Sequence, residues 1–303
     1  MKKILIIGTV AYDEIETTTG SSGKILGGAA TYIGLGASLL NSKPSIISIV
    51  GGDFEHKNLK LLKLKGINTD SIEIVPKGKT FYWKGKYHKD WNKRDTLNTQ
   101  LNVLADFNPT VSEENKKAEI IVLGNLHPEV QNTVLDQVNV NERCIILDTM
   151  NFWMDNALAE LMKVIKRVDI IIINDEEALQ LSKEDTLFAA ANKILSFGPK
   201  QIVIKKGEHG AMLFDESRFF TVPAFPVKKV IDPTGAGDTF AGGFAGYLSQ
   251  LDKINFEAMK LAVVHGTVMA SFCVEGFGTS VMESLEKETT NNRLKEFKNF
   301  TRY

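Results

Sequence analysis

The sequence predicts an α/β fold: a doubly wound, mostly parallel sheet carrying helices, with a small β-layer over its strand ends. Three observations point to it. Short β-branched runs recur and stop abruptly at a glycine or a polar residue. Helical patterns lie between them, and two segments rich in Thr, aromatic and charged residues interrupt the alternation.

The runs are Ile4–Ile7 before Gly8, Ile46–Val50 before Gly51, Ile120–Leu123 before Gly124, Ile145–Leu147 before Asp148, Ile170–Ile173 before Asn174 and Ile202–Ile204 before Lys205. Continuous apolar runs of this length fit parallel strands covered on both faces. Helices are expected over roughly 29–40, 53–65, 128–138, 155–167, 176–196, 237–250 and 256–273, with a charged, solvated helix over 283–298. Right-handed crossovers between such units place ligands outside the carboxyl ends of the strands. The polar residues that end the runs are therefore the candidates to face a ligand. Residues 12–26 and 72–106 read as the small β-layer, with Thr80–Tyr87 as an exposed hairpin.

The 303 residues suffice for one large domain, expected to span 1–303. A formal net charge of −1 gives no reason to expect nucleic acid or an anionic membrane as partner. No stretch approaches the ~18 apolar residues that span a bilayer, and the apolar run after Met-Lys-Lys is too short for a secretory signal. Cys144 and Cys273 read as reduced core residues, which fits a cytoplasmic protein.

Residues 232–243, Asp-Pro-Thr-Gly-Ala-Gly-Asp-Thr-Phe-Ala-Gly-Gly, carry the chemistry. Asp232 before Pro233 must enter extended. Gly235, Ala236 and Gly237 then let backbone N–H groups converge at the start of a helix, an anion site helped by the helix dipole. Asp238 sits inside that site. A carboxylate in a phosphate cradle suggests a base beside a transferring phosphoryl group. Pro76-Lys-Gly-Lys-Thr80 lacks the upstream glycine of a Walker A loop, no Gly-x-Gly-x-x-Gly follows the first strand, and no Cys/His cluster suits zinc.

Asp232-Pro-Thr-Gly-Ala-Gly-Asp238, with Gly27-Gly28 near the start and Asn174-x-x-Glu177 in the middle, resembles the ribokinase/PfkB family of sugar and nucleoside kinases. The resemblance implies a ribokinase-like fold with a β-sheet lid, often used for dimerisation. It implies ATP and Mg²⁺ as cofactors, possible dependence on a monovalent cation, and Asp238 as the base that deprotonates an acceptor hydroxyl. It places Asn174 and Glu177 near Mg²⁺, although an Asn cap with acidic residues in the first turn explains that motif equally well. Thr234, Gly235 and Gly237, with Lys205 and Gly207 on a strand-end loop, fall on the ATP side. His265 and Gly278 fall in the adenine wall. Asp13, Gly27 and Gly28 fall on the acceptor side, where the aspartate grips hydroxyls. Tyr32 departs from the family pattern, which commonly has Asn there. Its aromatic face weakens a sugar assignment and gives a nucleoside acceptor credit. Trp83, Tyr87 and Trp91 point the same way, or to a dimer contact. The expected activity is phosphorylation of a hydroxymethyl group on a small sugar, with a nucleoside second. A catalytically silent binding protein on the same scaffold is the alternative from another class.

Overall fold

A computed structural model describes residues 1–91 and 93–302. Asn92, inside the expected β-layer, and Tyr303, at the end of the expected domain, lie outside the described residues. In chain order the elements begin with β1 (Ile4–Ile7), β2 (Ala11–Thr17), β3 (Gly20–Gly27), α1 (Ala29–Ser38), β4 (Ser45–Gly51), α2 (His56–Leu64), β5 (Asn68–Val75), β6 (Tyr82–Tyr87) and β7 (Arg94–Gln100). There follow β8 (Ile120–Leu123), α3 (Pro128–Asp136), β9 (Cys144–Asp148), α4 (Asn151–Asn156), α5 (Leu158–Ile165), β10 (Ile170–Asn174), α6 (Asp175–Ser182), α7 (Leu187–Leu195) and β11 (Gln201–Lys205). Then come β12 (Ala211–Phe214), β13 (Phe219–Val222), α8 (Ala236–Leu248), α9 (Phe256–Cys273), α10 (Ser280–Ser284) and α11 (Lys287–Phe300).

A large sheet runs β13-β12-β11-β10-β9-β8-β1-β4-β5. From β11 to β5 every pairing is parallel, and the β11–β12–β13 meander closes one edge antiparallel. Two apolar clusters, one on each face, bury the isoleucine runs between sheet and helices. This is the doubly wound arrangement expected from the runs. Every expected run is a strand, and the carboxyl ends of β9, β10 and β11 bring Asp148, Asn174 and Lys205 side by side. Cys144 and Cys273 are both free thiols. Among the described residues no helix is long and apolar enough to cross a membrane.

A second sheet, β3-β2-β6-β7, stands apart from the first. It is mixed, since β2 pairs parallel with β6 and antiparallel with β3. Its bounds correct the expectation of 12–26 and 72–106. Residues 72–75 belong to β5 in the large sheet, and Asn102–Asp106 form a 3₁₀ turn. As an edge strand, β5 buries Thr69 and Ile72 but leaves Glu73 and Ile74 exposed, so it lacks the continuous apolar run of a central strand. Thr80–Tyr87 is likewise not a hairpin. Residues 82–87 are one strand, and Gly85 accommodates the Trp83 indole, which a Cβ there would meet at 2.1 Å.

Two expected helices are each split in two. Within 176–196 the chain breaks at Lys183, which is left-handed at φ 59°, and Thr186 then caps α7 by accepting from the Ala189 N–H at 3.3 Å. The 155–167 helix is instead α4 and α5, separated by Ala157 at ψ 36°.

Candidate active site

Helix α8 starts where the glycine run predicts. Gly235 is its N-cap at φ +74°, and Asp238 lies in its first turn. Asp232 is fully buried. It accepts from the Thr234 N–H at 2.9 Å and the Gly278 N–H at 2.9 Å, which ties the loop entering α8 to the segment after α9. Lys205, at the end of β11, reaches the same mouth: a Cβ at Gly237 would lie 2.8 Å from its Nζ. Its ammonium pairs with Asp148 at 3.1 Å.

These groups share one electrostatic neighbourhood. Burial, with the negative charge of Asp148, pushes Asp238 up to about 7, against the pull of Lys205. Burial works against the charge on Lys205, but Asp148, Glu177 and Asp238 outweigh it and hold its pKa above the usual lysine value. Asp238 is half-buried, whereas Thr239 and Phe240 after it are buried.

Asn174 and Glu177 form a capping box at the start of α6. Asn174 Oδ1 accepts from the Glu177 N–H at 2.7 Å, and Glu177 Oε2 accepts from the Asn174 N–H at 2.8 Å. The helix-cap explanation of this motif therefore describes its geometry. The motif still faces the site, because Glu177 is buried, raised to about 7 by that burial, and close enough to Lys205 to be pulled back down. Among the described residues no group of three or more His, Cys, Asp or Glu is arranged to hold a metal ion.

On the other wall, Asp13 of β2 is buried and pushed up to about 7 by that burial, opposed by the Gly28 N–H that it accepts at 3.4 Å. The space at Gly27 belongs to this aspartate, since a Cβ there would fall 1.9 Å from Asp13 Oδ2. Gly28 is the N-cap of α1. Gly27 thus makes room for the protein's own carboxylate, while Gly28, at φ +91°, packs on the Thr9 backbone. Tyr32 is 1% exposed, so its ring offers no open face for stacking. It lies under the loop, where a Cβ on Gly235 would sit 2.4 Å from ring carbons. Its hydroxyl is buried without a hydrogen-bond partner, next to Asp13, Asp232 and Asp238. An orphaned buried hydroxyl costs ~1–3 kcal/mol. Tyr32→Phe is therefore expected to raise the urea midpoint of the ligand-free protein and to weaken acceptor binding. A lowered midpoint would show that the hydroxyl already has a partner.

The remaining predicted residues are less tightly gathered. Gly207 begins the turn after Lys205, and Thr234 donates from its hydroxyl to Tyr87 Oη of the small sheet at 3.3 Å. Gly278 packs on Ile25 and Leu26 of β3 as well as on Asp232, which puts it on the small-sheet side. His265 lies within α9, stacked on Tyr247 of α8 with ring centroids 4.3 Å apart. Burial lowers its pKa to about 4, so it is neutral. Two cavities lie outside this cluster. One, of 230 Å³, is lined by Tyr12, Lys24, Glu55 and Phe277; the other, of 320 Å³, by Arg143, Asp169 and Lys200.

Sequence reasoning missed two participants. Asp232 was read only as a proline-preceding residue, yet it anchors the loop. Arg94 of β7 has no local signal at all, and its charge acts on Asp13, Glu177 and Asp238 together.

Comparison with known proteins bears on the family and the fold. The pfkB family carbohydrate kinase model matches residues 1–286. The chain is 29% identical over 253 residues to a cytidine kinase of Thermococcus kodakarensis, covering 82% of this chain and 89% of that one. It is 31% identical over 279 residues to a deoxyribokinase of Salmonella typhimurium, covering 88% and 87%. The crystal structure of a putative ribokinase II from E. coli in complex with ATP and Mg²⁺ superposes with a TM-score of 0.82 at 20% identity, covering 98% of this chain and all of that one. Sequence, fold and family model together establish that the chain belongs to the pfkB family of carbohydrate kinases, phosphotransferases with an alcohol group as acceptor.

Proposed function

We propose that this protein transfers the γ-phosphate of ATP to the hydroxymethyl group of a small sugar. The observation that carries the proposal is Asp238, set in the first turn of α8 beside the glycine-lined N-terminus and the Lys205 ammonium. The amides of residues 235–237 form the anion hole, Thr234, Lys205 and Gly207 flank the nucleotide, and Asp13 accepts from the acceptor's hydroxyls. Phosphoryl transfer runs through a loose transition state, so the proton leaves late and a carboxylate suffices as base. A nucleoside acceptor is the second reading. It is favoured by the cytidine kinase among the relatives, while the buried ring of Tyr32 gives it no stacking face.

Asn174 and Glu177 suit Mg²⁺ held through its water shell: their oxygens are hard donors, and the buried Glu177 carboxylate gains from a nearby cation. When bound there, Mg²⁺ would neutralise phosphate charge. The β3-β2-β6-β7 sheet acts as the lid of a single domain, and its outer strand β7, exposed along its length, is where two copies would pair.

The pH dependence has a definite sign. Asp238 accepts a proton only when ionised, and its pKa is raised to about 7. It is therefore blocked below that pH, and kcat/KM should rise with pH between roughly 6 and 8 and then level off. A profile flat across that range removes Asp238 as the base. The proposal itself is tested by ADP release from MgATP with D-ribose, 2-deoxy-D-ribose, cytidine and inosine as acceptors. Thermal shift with the same compounds separates the classes, since ligand at ~100 times its Kd stabilises by about 2.7 kcal/mol. Silence with every acceptor despite normal binding would overturn it.

A further inference from the structure

We infer that the 230 Å³ cavity behind the small sheet is a binding site for a small neutral polyol, separate from the acceptor site. The strand register sets the two apart. Tyr12 pairs with Leu26 and Glu14 with Lys24 across β2 and β3, so Tyr12, Leu26 and Lys24 share one face of the sheet. Asp13 belongs to the opposite face, where it accepts from the Gly28 N–H. The cavity lies on the first face, and β3 is the edge strand, so Ile25 borders it as well. Its far side is closed by the start of α2 and by Phe277 and Thr279 just before α10. The cavity and the proposed acceptor site therefore stand back to back across the same two strands.

Asn58 of α2 points to a ligand. It lines the cavity, is 7% exposed, and its side-chain amide has no hydrogen-bond partner among the described residues. Leaving a buried amide unmet is costly, so the fitting occupant both donates and accepts. At about 30 Å³ per water the space holds roughly seven waters, which suits a molecule smaller than a drug-sized ligand. The charged groups around it already have neighbours. Lys57 pairs with Glu55 at 2.6 Å, Lys24 lies 3.8 Å from Asp53, and Glu283 accepts from Thr279 Oγ1 at 2.5 Å. Lys24 and Lys57 are matched by Glu55 and Glu283 in the lining, so its formal charge is zero and a phosphate would meet both carboxylates. A hydroxyl is suited to this mixture, because it can accept from an amide or ammonium while donating to a carboxylate. Leu26 and Phe277 add apolar surface for the C–H face of a ring. An occupant bridges β2 and β3 to α2 and α10, and so holds the small sheet on the body of the protein.

The probes are D-ribose, D-glucose and myo-inositol, with glycine and inorganic phosphate as charged controls. In amide correlation spectra the Asn58 side-chain signals should shift with at least one polyol, half-saturating at about 1 mM or below. Asp13→Asn removes the acceptor hook and should keep that shift. Asn58→Leu breaks no existing hydrogen bond, so its melting temperature should match or exceed that of wild type. In the Asp13→Asn background it should abolish the rise in melting temperature that the polyol causes. Lys24→Met, at the half-exposed rim, should weaken the same binding about tenfold. Crystals soaked in the polyol should show density between Leu26, Asn58 and Phe277. No shift with any polyol up to about 10 mM, a shift lost in Asp13→Asn, or density at Asp13 alone overturns the inference. So does a preference for glycine or phosphate, or Asn58→Leu binding as tightly as wild type. Should Asn58→Leu fail to fold, Lys24→Met decides, and undiminished binding there overturns the inference. None of these readouts needs turnover, so their outcome is separate from that of the kinase reading.

Discussion

Asp238→Asn is expected to lower kcat about 1,000-fold and to leave nucleotide affinity intact or slightly improved. The substitution keeps the shape of the side chain and removes the lone pair that receives the acceptor's proton. It also removes a negative charge from a neighbourhood that already holds Asp148, Asp13 and Glu177, so a triphosphate should meet less repulsion. Lys205, which feels Asp238, Asp148 and Glu177, loses one of three anionic neighbours and should lean further toward phosphate. Initial rates of ADP release together with calorimetric titration of MgATP check both halves. A variant within tenfold of wild type would mean that the proton leaves by another route.

Gly235→Ala is expected to be the most destabilising single-methyl change in the loop, by roughly 2–5 kcal/mol. Two independent costs add. The backbone at φ +74° disfavours any Cβ, by about 1–2 kcal/mol. The new methyl would also fall 2.4 Å from the ring of Tyr32, which is 1% exposed and has nowhere to go, at a further ~1–3 kcal/mol. Urea unfolding of the variant and of Gly235→Ala in a Tyr32→Leu background separates the two, since the smaller side chain should recover the packing share only. A loss below ~1 kcal/mol would show that the loop relaxes freely, and then the amides of 235–237 are not a rigid anion hole.

Much of the fold was legible because buried parallel strands leave an unmistakable mark: each isoleucine run ends where its strand ends, and Asp148, Asn174 and Lys205 close three neighbouring strands. Asp238 and its glycines were legible for a similar reason, since a tight turn into a helix needs particular residues in a particular order. The β-layer was harder. Edge strand β5 lacks the continuous apolar run of the central strands, and Gly85 in mid-strand looks like a turn until the Trp83 ring is seen lying across it. Tyr32 was visible as a departure from the family pattern. Its burial was not, because that depends on α8 packing over α1. Arg94 had no signature at all. Its meaning arises only when β7 is folded over the large sheet, a long-range relation that no local window contains.

The packing of α1 (Ala29–Ser38) against α8 (Ala236–Leu248) also sets a schedule for biosynthesis. Nine of the residues of α1 are buried, among them Ile33 and Leu35, and much of what covers them is made near the end of the chain. At 5–20 residues per second, a nascent polypeptide waits roughly ten to forty seconds with that apolar helix short of its partner. Ribosome-stalled or proteolysed fragments that stop before α8 would leave it bare, and these are the forms that chaperones should hold.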